Sequence, residues 1–203
     1  MSLLSPVRRR ILCAAAAATV ALTLAACGET KLPFKGSDIT GTQLGKGLDL
    51  VDHNGTPRKL ADFSGKALVV FFGFTQCPDV CPTALAELSQ VMQKLGPDAD
   101  RVQVLLVSVD PERDTPEILK QYVTTFDPRF LGLTGTDEQV RKTAASFKAY
   151  YAKVPSKDGS TYTMDHSAGF YLFDPKGESR VLANSTIGVD AVAHDLKLLI
   201  DEK

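Results

Sequence analysis

The chain has 203 residues, 44% of them hydrophobic and 23% charged, with a formal charge of −1. That is enough for one ordinary domain with an extension at the N-terminus, and nothing in it points to two domains. The balance of charge offers no basic patch and excludes nucleic acid as a partner.

Residues 1–26 read as a bacterial secretion signal: Arg8, Arg9 and Arg10, an uncharged run from Ile11, then Leu24-Ala25-Ala26-Cys27. The tetrapeptide resembles a lipobox, the cleavage and acylation site of bacterial lipoproteins, so Cys27 is the expected lipidation site. An uncleaved membrane anchor is the alternative, although the apolar run is short for a span of roughly 20 residues. Either way the N-terminus is held at the membrane and the domain faces the exported, periplasmic side. Loss of residues 1–26 removes three arginines and no acids, taking the formal charge from −1 to −4. Residues 27–37 (CGETKLPFKGS) are polar and read as a flexible tether with a reach on the order of 20 Å, leaving 38–203 as the domain.

Residues 48–51 and the Asn54-Gly55 turn predict a short strand and a hairpin turn; Leu60, Phe63 and Gly65 then lead into residues 67–74 (ALVVFFGF), a strand buried on both faces. Next comes Cys77-Pro78-Asp79-Val80-Cys81-Pro82, and after it residues 83–95 place Leu85, Leu88, Met92 and Leu95 at helical spacing. The cysteines thus occupy a strand-to-helix turn. Pro82 suits the first helical turn, which puts Cys81 at or beside the helix start. Unpaired N–H groups and the helix dipole there are expected to lower the thiol pKa.

Residues 102–109 predict a second buried strand, ending in the polar loop Asp110-Pro111-Glu112-Arg113-Asp114. Thr115-Pro116-Glu117 opens a helix with a cap, a proline at its first position and an acid in its first turn, running to about Phe126. A short strand at 130–133 follows, then a helix from Asp137 to about Tyr150 with Val140, Ala144 and Phe147 on its inner face. Residues 155–163 (PSKDGSTYT) lack periodicity and predict a mobile loop; residues 169–173 and 179–182 flank Asp174-Pro175-Lys176-Gly177 as a hairpin. A helix over about 190–200, using Val192, Leu196 and Leu199, closes the chain. This order predicts an α/β fold, a central mixed sheet flanked by helices, with parallel inner strands and an antiparallel pair at one side. Two cysteines on a strand-to-helix turn within it form a thioredoxin-like arrangement. Sites in such sheets lie beyond the C-terminal ends of the parallel strands, where this turn falls.

Of four cysteines, Cys13 leaves with the signal and Cys27 carries lipid, so Cys77 and Cys81 are the thiols that remain. A structural disulfide is the ordinary reading in an oxidising compartment. A bridge closing so short a loop constrains the unfolded chain little, however, and helical i, i+4 spacing permits reversible pairing. Two thiolates are soft donors that suit Cu(I), and an imidazole would complete a three-coordinate site that also holds Cu(II). Zinc is the rival metal, since a two-cysteine, one-histidine set also occurs in catalytic zinc sites. Among the three histidines, His53 reads as a solvated turn residue and His194 as a surface or boundary residue of the last helix. His166, just before the 168–173 run, falls near the cysteine turn in a thioredoxin-like topology. Asp79 and Asp165 flank these positions and are candidates to orient His166, Asp79 being equally a helix cap.

Asp38-Ile39-Thr40-Gly41, Phe71-Phe72-Gly73-Phe74-Thr75, residues 77–82, residues 107–116 (VSVDPERDTP) and Asp165-His166-Ser167 together resemble, in order, the Sco/SenC copper proteins. The resemblance implies a membrane-tethered, thioredoxin-like protein that binds copper through two cysteines and a distal histidine, here Cys77, Cys81 and His166. It also implies a role in building the CuA centre of cytochrome c oxidase, with the apo subunit carrying CuA, and another periplasmic copper carrier, as partners. Some members act as thiol-disulfide reductants. That alternative is opposed by the C-x3-C spacing and by the lack of a proline immediately before residues 168–173, where thioredoxins carry a cis-proline. A peroxiredoxin-like peroxidase needs T-x-x-C, but Phe74 stands three before Cys77 and Thr75 is displaced by one.

Overall fold

In the computed structural model, which describes residues 32–202, the apolar run expected as a doubly buried strand forms Ala67–Gly73, and all seven of its residues are buried. Successive strand residues face opposite sides, so an unbroken apolar run needs cover on both. Phe71 packs edge-on to Phe170 at 5.5 Å between centroids, while Phe72 meets Phe147 at 5.1 Å on the other side.

The strands are β1 Ser37–Asp38, β2 Asp49–Asp52, β3 Pro57–Lys59, β4 Ala67–Gly73, β5 Val102–Ser108, β6 Leu131–Thr134, β7 Tyr151–Pro155, β8 Tyr162–His166, β9 Gly169–Phe173 and β10 Ser179–Asn184. The α-helices are α1 Val80–Leu95, α2 Pro116–Phe126, α3 Asp137–Ser146 and α4 Val189–Asp201. Eight strands form one sheet in the order β1-β10-β9-β4-β5-β6-β2-β3. β4, β5 and β6 run parallel, joined through α1 and α2, and β9 pairs antiparallel with β4. The α/β, thioredoxin-like mixed sheet flanked by helices is therefore present. α1 packs against both α2 and α4, and α3 ends at Phe147 beneath Phe72 on the opposite face.

Four local expectations change. Antiparallel strands border the parallel core on both sides, because β2 and β3 pair with each other and β2 pairs antiparallel with β6. His53 ties this second hairpin to the segment that carries β6. Far from solvated, it is buried; its N–H donates to the Gly132 carbonyl at 2.9 Å and its Nδ1 accepts from the Gly132 N–H at 3.1 Å. The third helix stops at Ser146 rather than near Tyr150. Phe147 is held among Phe72, Tyr171 and Phe173, and Lys148 takes a left-handed φ of 54° that breaks the helical path. Finally, the ends of the expected loop at 155–163 are strand: β7 and β8 form a separate two-stranded sheet, with Tyr151 opposite His166 and Pro155 opposite Tyr162. Gly159, at φ 70°, supplies the left-handed residue of its turn.

The cap of α2 and the position of His194 follow the sequence. Thr115 accepts from the Ile118 N–H at the start of α2, and His194 lies on α4 half-exposed, with Nδ1 2.9 Å from Asp195. No helix among the described residues is long and apolar enough to cross a membrane. The predicted signal, Cys13 and Cys27 lie outside the described residues.

Candidate metal centre

β4 ends at Gly73 and β5 at Ser108, side by side in the sheet, and the chain leaves both at the same edge. From β4 it enters the cysteine turn: the Cys77 N–H donates to the Phe74 carbonyl at 3.3 Å, and α1 begins at Val80 with Pro82 in its first turn. Cys77 is half-buried, whereas Cys81 is buried against the strand. Gly73 makes that possible, since a Cβ there would stand 3.0 Å from the Cys81 sulfur, 3.1 Å from Leu106 and 3.1 Å from Phe71.

His166 reaches the same place from β8. Its Nε2 lies 3.4 Å from the Cys81 Sγ, and the ligand atoms of Cys77, Cys81 and His166 all lie within 4.8 Å of one another. Phe71 and Phe74 wall the ring, both edge-on, with centroids 6.0 and 5.9 Å away. The His166 Nδ1 is 3.1 Å from the Ser167 carbonyl. A carbonyl only accepts, so Nδ1 carries the proton and Nε2 presents its lone pair to the thiols, the tautomer a metal ligand needs. Neither Asp79 nor Asp165 makes this contact, and Asp79, although at the cap position of α1, accepts no capping hydrogen bond.

The expected low thiol pKa does not hold for Cys81. Burial pushes it well above the ordinary range, and the Cys77 hydrogen bond and charge add to the rise, outweighing a backbone hydrogen bond at Phe74 that lowers it. The Cys77 sulfur accepts the Cys81 N–H at 3.4 Å, a backbone donor from the first turn of α1.

Residues of the polar loop after β5 build the frame. Asp114, buried, accepts from the Thr75 hydroxyl at 2.6 Å, the Thr75 N–H at 3.1 Å and the Ser108 hydroxyl at 2.6 Å, tying the cysteine turn to the loop after β5. Burial raises its pKa, with the hydrogen bonds from Ser108 and Thr75 opposing the rise. Arg113 joins three elements. Its Nε donates to Asp110, and its Nη1 donates to the Gln76 side chain at 3.1 Å and to the Tyr162 carbonyl at 3.0 Å; the guanidinium lies 3.8 Å from the centroid of the Tyr162 ring. The Tyr162 hydroxyl donates to Asp110 at 2.9 Å. The hairpin that carries His166 is thereby latched to the turn that carries the thiols.

The SCO1/SenC family model matches residues 37–201, nearly all of the described chain. The chain belongs to the SCO1/SenC family. Among relatives, mouse mitochondrial SCO2 homolog is 45% identical over 132 residues, covering 64% of this chain and 52% of that protein. The chain thus spans about half the length of the mammalian SCO2 relatives it matches. Bradyrhizobium japonicum ScoI, solved with copper bound, is 41% identical with a TM-score of 0.69, covering 81% of this chain and 98% of its own. BsSco, a member of the Sco family of cytochrome c oxidase assembly proteins in which a disulfide switch was identified, is 25% identical with a TM-score of 0.62, covering 83% of this chain and 98% of its own.

Within this SCO1/SenC chain, the sequence signals for the missed parts were faint. Tyr162, Met164 and His166 alternate with exposed Thr163 and Asp165, a strand pattern, and Asp158-Gly159 ahead of it is a hairpin signal. Nothing comparable marked Arg113, whose partners lie 37 and 49 residues away in the chain.

Proposed function

We propose that this protein is a membrane-tethered copper chaperone. Cys77, Cys81 and His166 hold the copper and pass it to the apo subunit of cytochrome c oxidase that carries CuA. The observation that carries the reading is the convergence of two sulfurs and one imidazole nitrogen within 4.8 Å, from positions 77, 81 and 166. Soft thiolates favour Cu(I), and few ligands at an accessible edge allow an incoming thiolate to displace them one at a time. The bound copper of ScoI and the oxidase-assembly role of BsSco's family support the same choice over zinc. In this reading residues 1–26 are a lipoprotein signal, Cys27 carries the lipid, residues 27–37 are the tether and residues 38–203 the copper-binding domain on the periplasmic side. Another periplasmic copper carrier is the supplier.

The test is an anaerobic competition titration of the reduced protein against a Cu(I) indicator, repeated for His166→Ala. One tight equivalent that weakens in the variant, with thiol reactivity retained, is expected. Equal affinity of both proteins for Cu(I) and Cu(II) would remove His166 from the ligand set.

A thiol-disulfide reductant is the second reading, favoured by the half-buried Cys77 sulfur that already accepts the Cys81 N–H. Cys77 would attack a partner's disulfide and Cys81 resolve the mixed disulfide, leaving the partner reduced and this pair oxidised. Weak copper binding that ignores His166 would favour it.

A further inference from the structure

Large apolar side chains are seldom left in water without reason when they cluster. Among the described residues four are exposed: Val80 at 45%, Ile118 at 43%, Tyr150 at 63% and Val154 at 37%. Three of the four lie on segments tied to the cysteine turn or to His166. Val80 lies inside the cysteine turn itself. Ile118 sits in the first turn of α2, which begins two residues after Asp114, the residue bonded to Thr75 two positions before Cys77. Tyr150 exchanges hydrogen bonds with Ser167: its N–H donates to the Ser167 hydroxyl at 2.9 Å, and its carbonyl accepts the Ser167 N–H at 2.9 Å. Ser167 is the residue whose carbonyl holds His166.

Carboxylates adjoin these residues in the chain. Asp79 precedes Val80, Glu117 precedes Ile118, and Asp165 precedes His166; all three are exposed, and none makes a salt bridge among the described residues, whereas Glu112 nearby is neutralised by Lys153. Arg113, the cation closest to the cysteine turn by its contacts, is committed to Asp110. Glu117 is hydrogen-bonded to Thr115 and to its own backbone but carries no counter-charge among the described residues. Apolar side chains beside carboxylates without salt bridges, around donor atoms that must stay reachable, describe an interface core with a charged rim.

We propose that Val80, Ile118 and Tyr150, with Asp79, Glu117 and Asp165 around them, form a docking surface for a protein segment that presents a thiol pair among apolar side chains and lysines or arginines. The proposal rests on the chaperone reading and specifies its recipient: the carboxylates steer a basic partner, and the apolar residues hold it with its thiols over Cys77. Steering of this kind is strong at low salt and screened at high salt.

Two peptides with the same C-x3-C pair and the same apolar neighbours, one flanked by lysines and one by glutamates, test this against the metal-free, reduced full-length protein in detergent. Fluorescence anisotropy at about 0.01 M ionic strength should show the lysine peptide binding at least tenfold more tightly, the difference collapsing near 1 M as the Debye length falls from about 30 to about 3 Å. Ile118→Ser should weaken the lysine peptide by about tenfold at both salt concentrations. Glu117→Gln should weaken it at low salt alone. A Cu(I) titration run on each variant should match the parent. Equal binding of the two peptides, or parental binding by Ile118→Ser, overturns the docking surface. Absence of tight Cu(I) binding in the parent overturns the chaperone reading instead, and the peptide result stands apart from it.

Discussion

At the scale of single residues the centre depends on an absence of atoms. Gly73 has no side chain because the Cys81 sulfur fills the space where its Cβ would be. Gly73→Ala forces either the sulfur or Leu106 and Phe71 to move, and overpacking of this kind costs about 1–3 kcal/mol. We expect a lower unfolding midpoint and a weaker Cu(I) affinity together, read by thermal melts and the competition titration; an unchanged value of both would mean that Cys81 has room to spare. His53 shows a different constraint. Burial is the main cause that lowers its pKa beneath the ordinary 6.5, with the Lys120 charge adding to this and the Asp52 charge opposing it. The fold therefore favours the neutral ring, whose Nδ1 accepts the Gly132 N–H. Since the folded pKa is the depressed one, this stability is complete above about pH 6.5 and is lost as pH falls below it, through the folded value. Denaturant midpoints measured from pH 7.5 down to 5.0 should decline more steeply in the parent than in His53→Gln, and parallel curves would refute the assignment.

At the scale of elements, the β7–β8 hairpin is the part that completes the triad, and it is not hydrogen-bonded into the main sheet. Arg113 latches it, through the Tyr162 carbonyl and ring on one side and Gln76 on the other. Arg113→Ala should leave the sheet and the cysteine turn in place but loosen the hairpin. Amides of residues 162–166 should then exchange faster with solvent, and Cu(I) affinity should fall by about tenfold, the lower end of what outer-shell changes cost a metal site. Hydrogen exchange by mass spectrometry would decide it: unchanged protection there would mean that the hairpin does not need the latch. The two-stranded element escaped the sequence reading because its inward residues are Tyr162, Met164 and His166, only one of them a plain hydrophobe, and its outward residues are polar. Alternation was present, yet the contrast between faces was small. The helical pattern of α3 runs four residues past its end for a related reason. Phe147 keeps helical spacing with Val140 and Ala144, and its packing among Phe72, Tyr171 and Phe173, with the left-handed Lys148 after it, ends the helix there.

At the scale of the whole molecule, parallel β4 and β5 deliver two loops to one edge, and β8 brings a third segment from about 85 residues beyond the cysteines. Docking chemistry and metal chemistry thus share one end of the sheet. If the proposed lipid anchor holds that domain at the membrane, Cys27→Ser should move the protein from the membrane fraction to the soluble periplasmic fraction. Its persistence in membranes after carbonate washing would favour an uncleaved anchor.

By itself, the sequence determined the fold class, because strand burial and helix caps are written in local pattern: ALVVFFGF needs cover on both faces, and Thr115-Pro116-Glu117 caps a helix wherever it lies. It also marked the donors, since soft thiols four residues apart and a distal histidine are legible as residue types. Tertiary structure alone decided how those donors are presented. Only the packed fold buries Cys81 and raises its pKa where a helix start suggested the opposite, and fixes the His166 tautomer through the Ser167 carbonyl. It also turns the DPERDTP loop into the frame that ties hairpin to turn. The Cys81 shift is set by desolvation, the frame by contacts between residues distant in the chain, and the His166 tautomer by a backbone conformation that turns the Ser167 carbonyl onto the preceding ring; none of these is encoded in the spacing of neighbours.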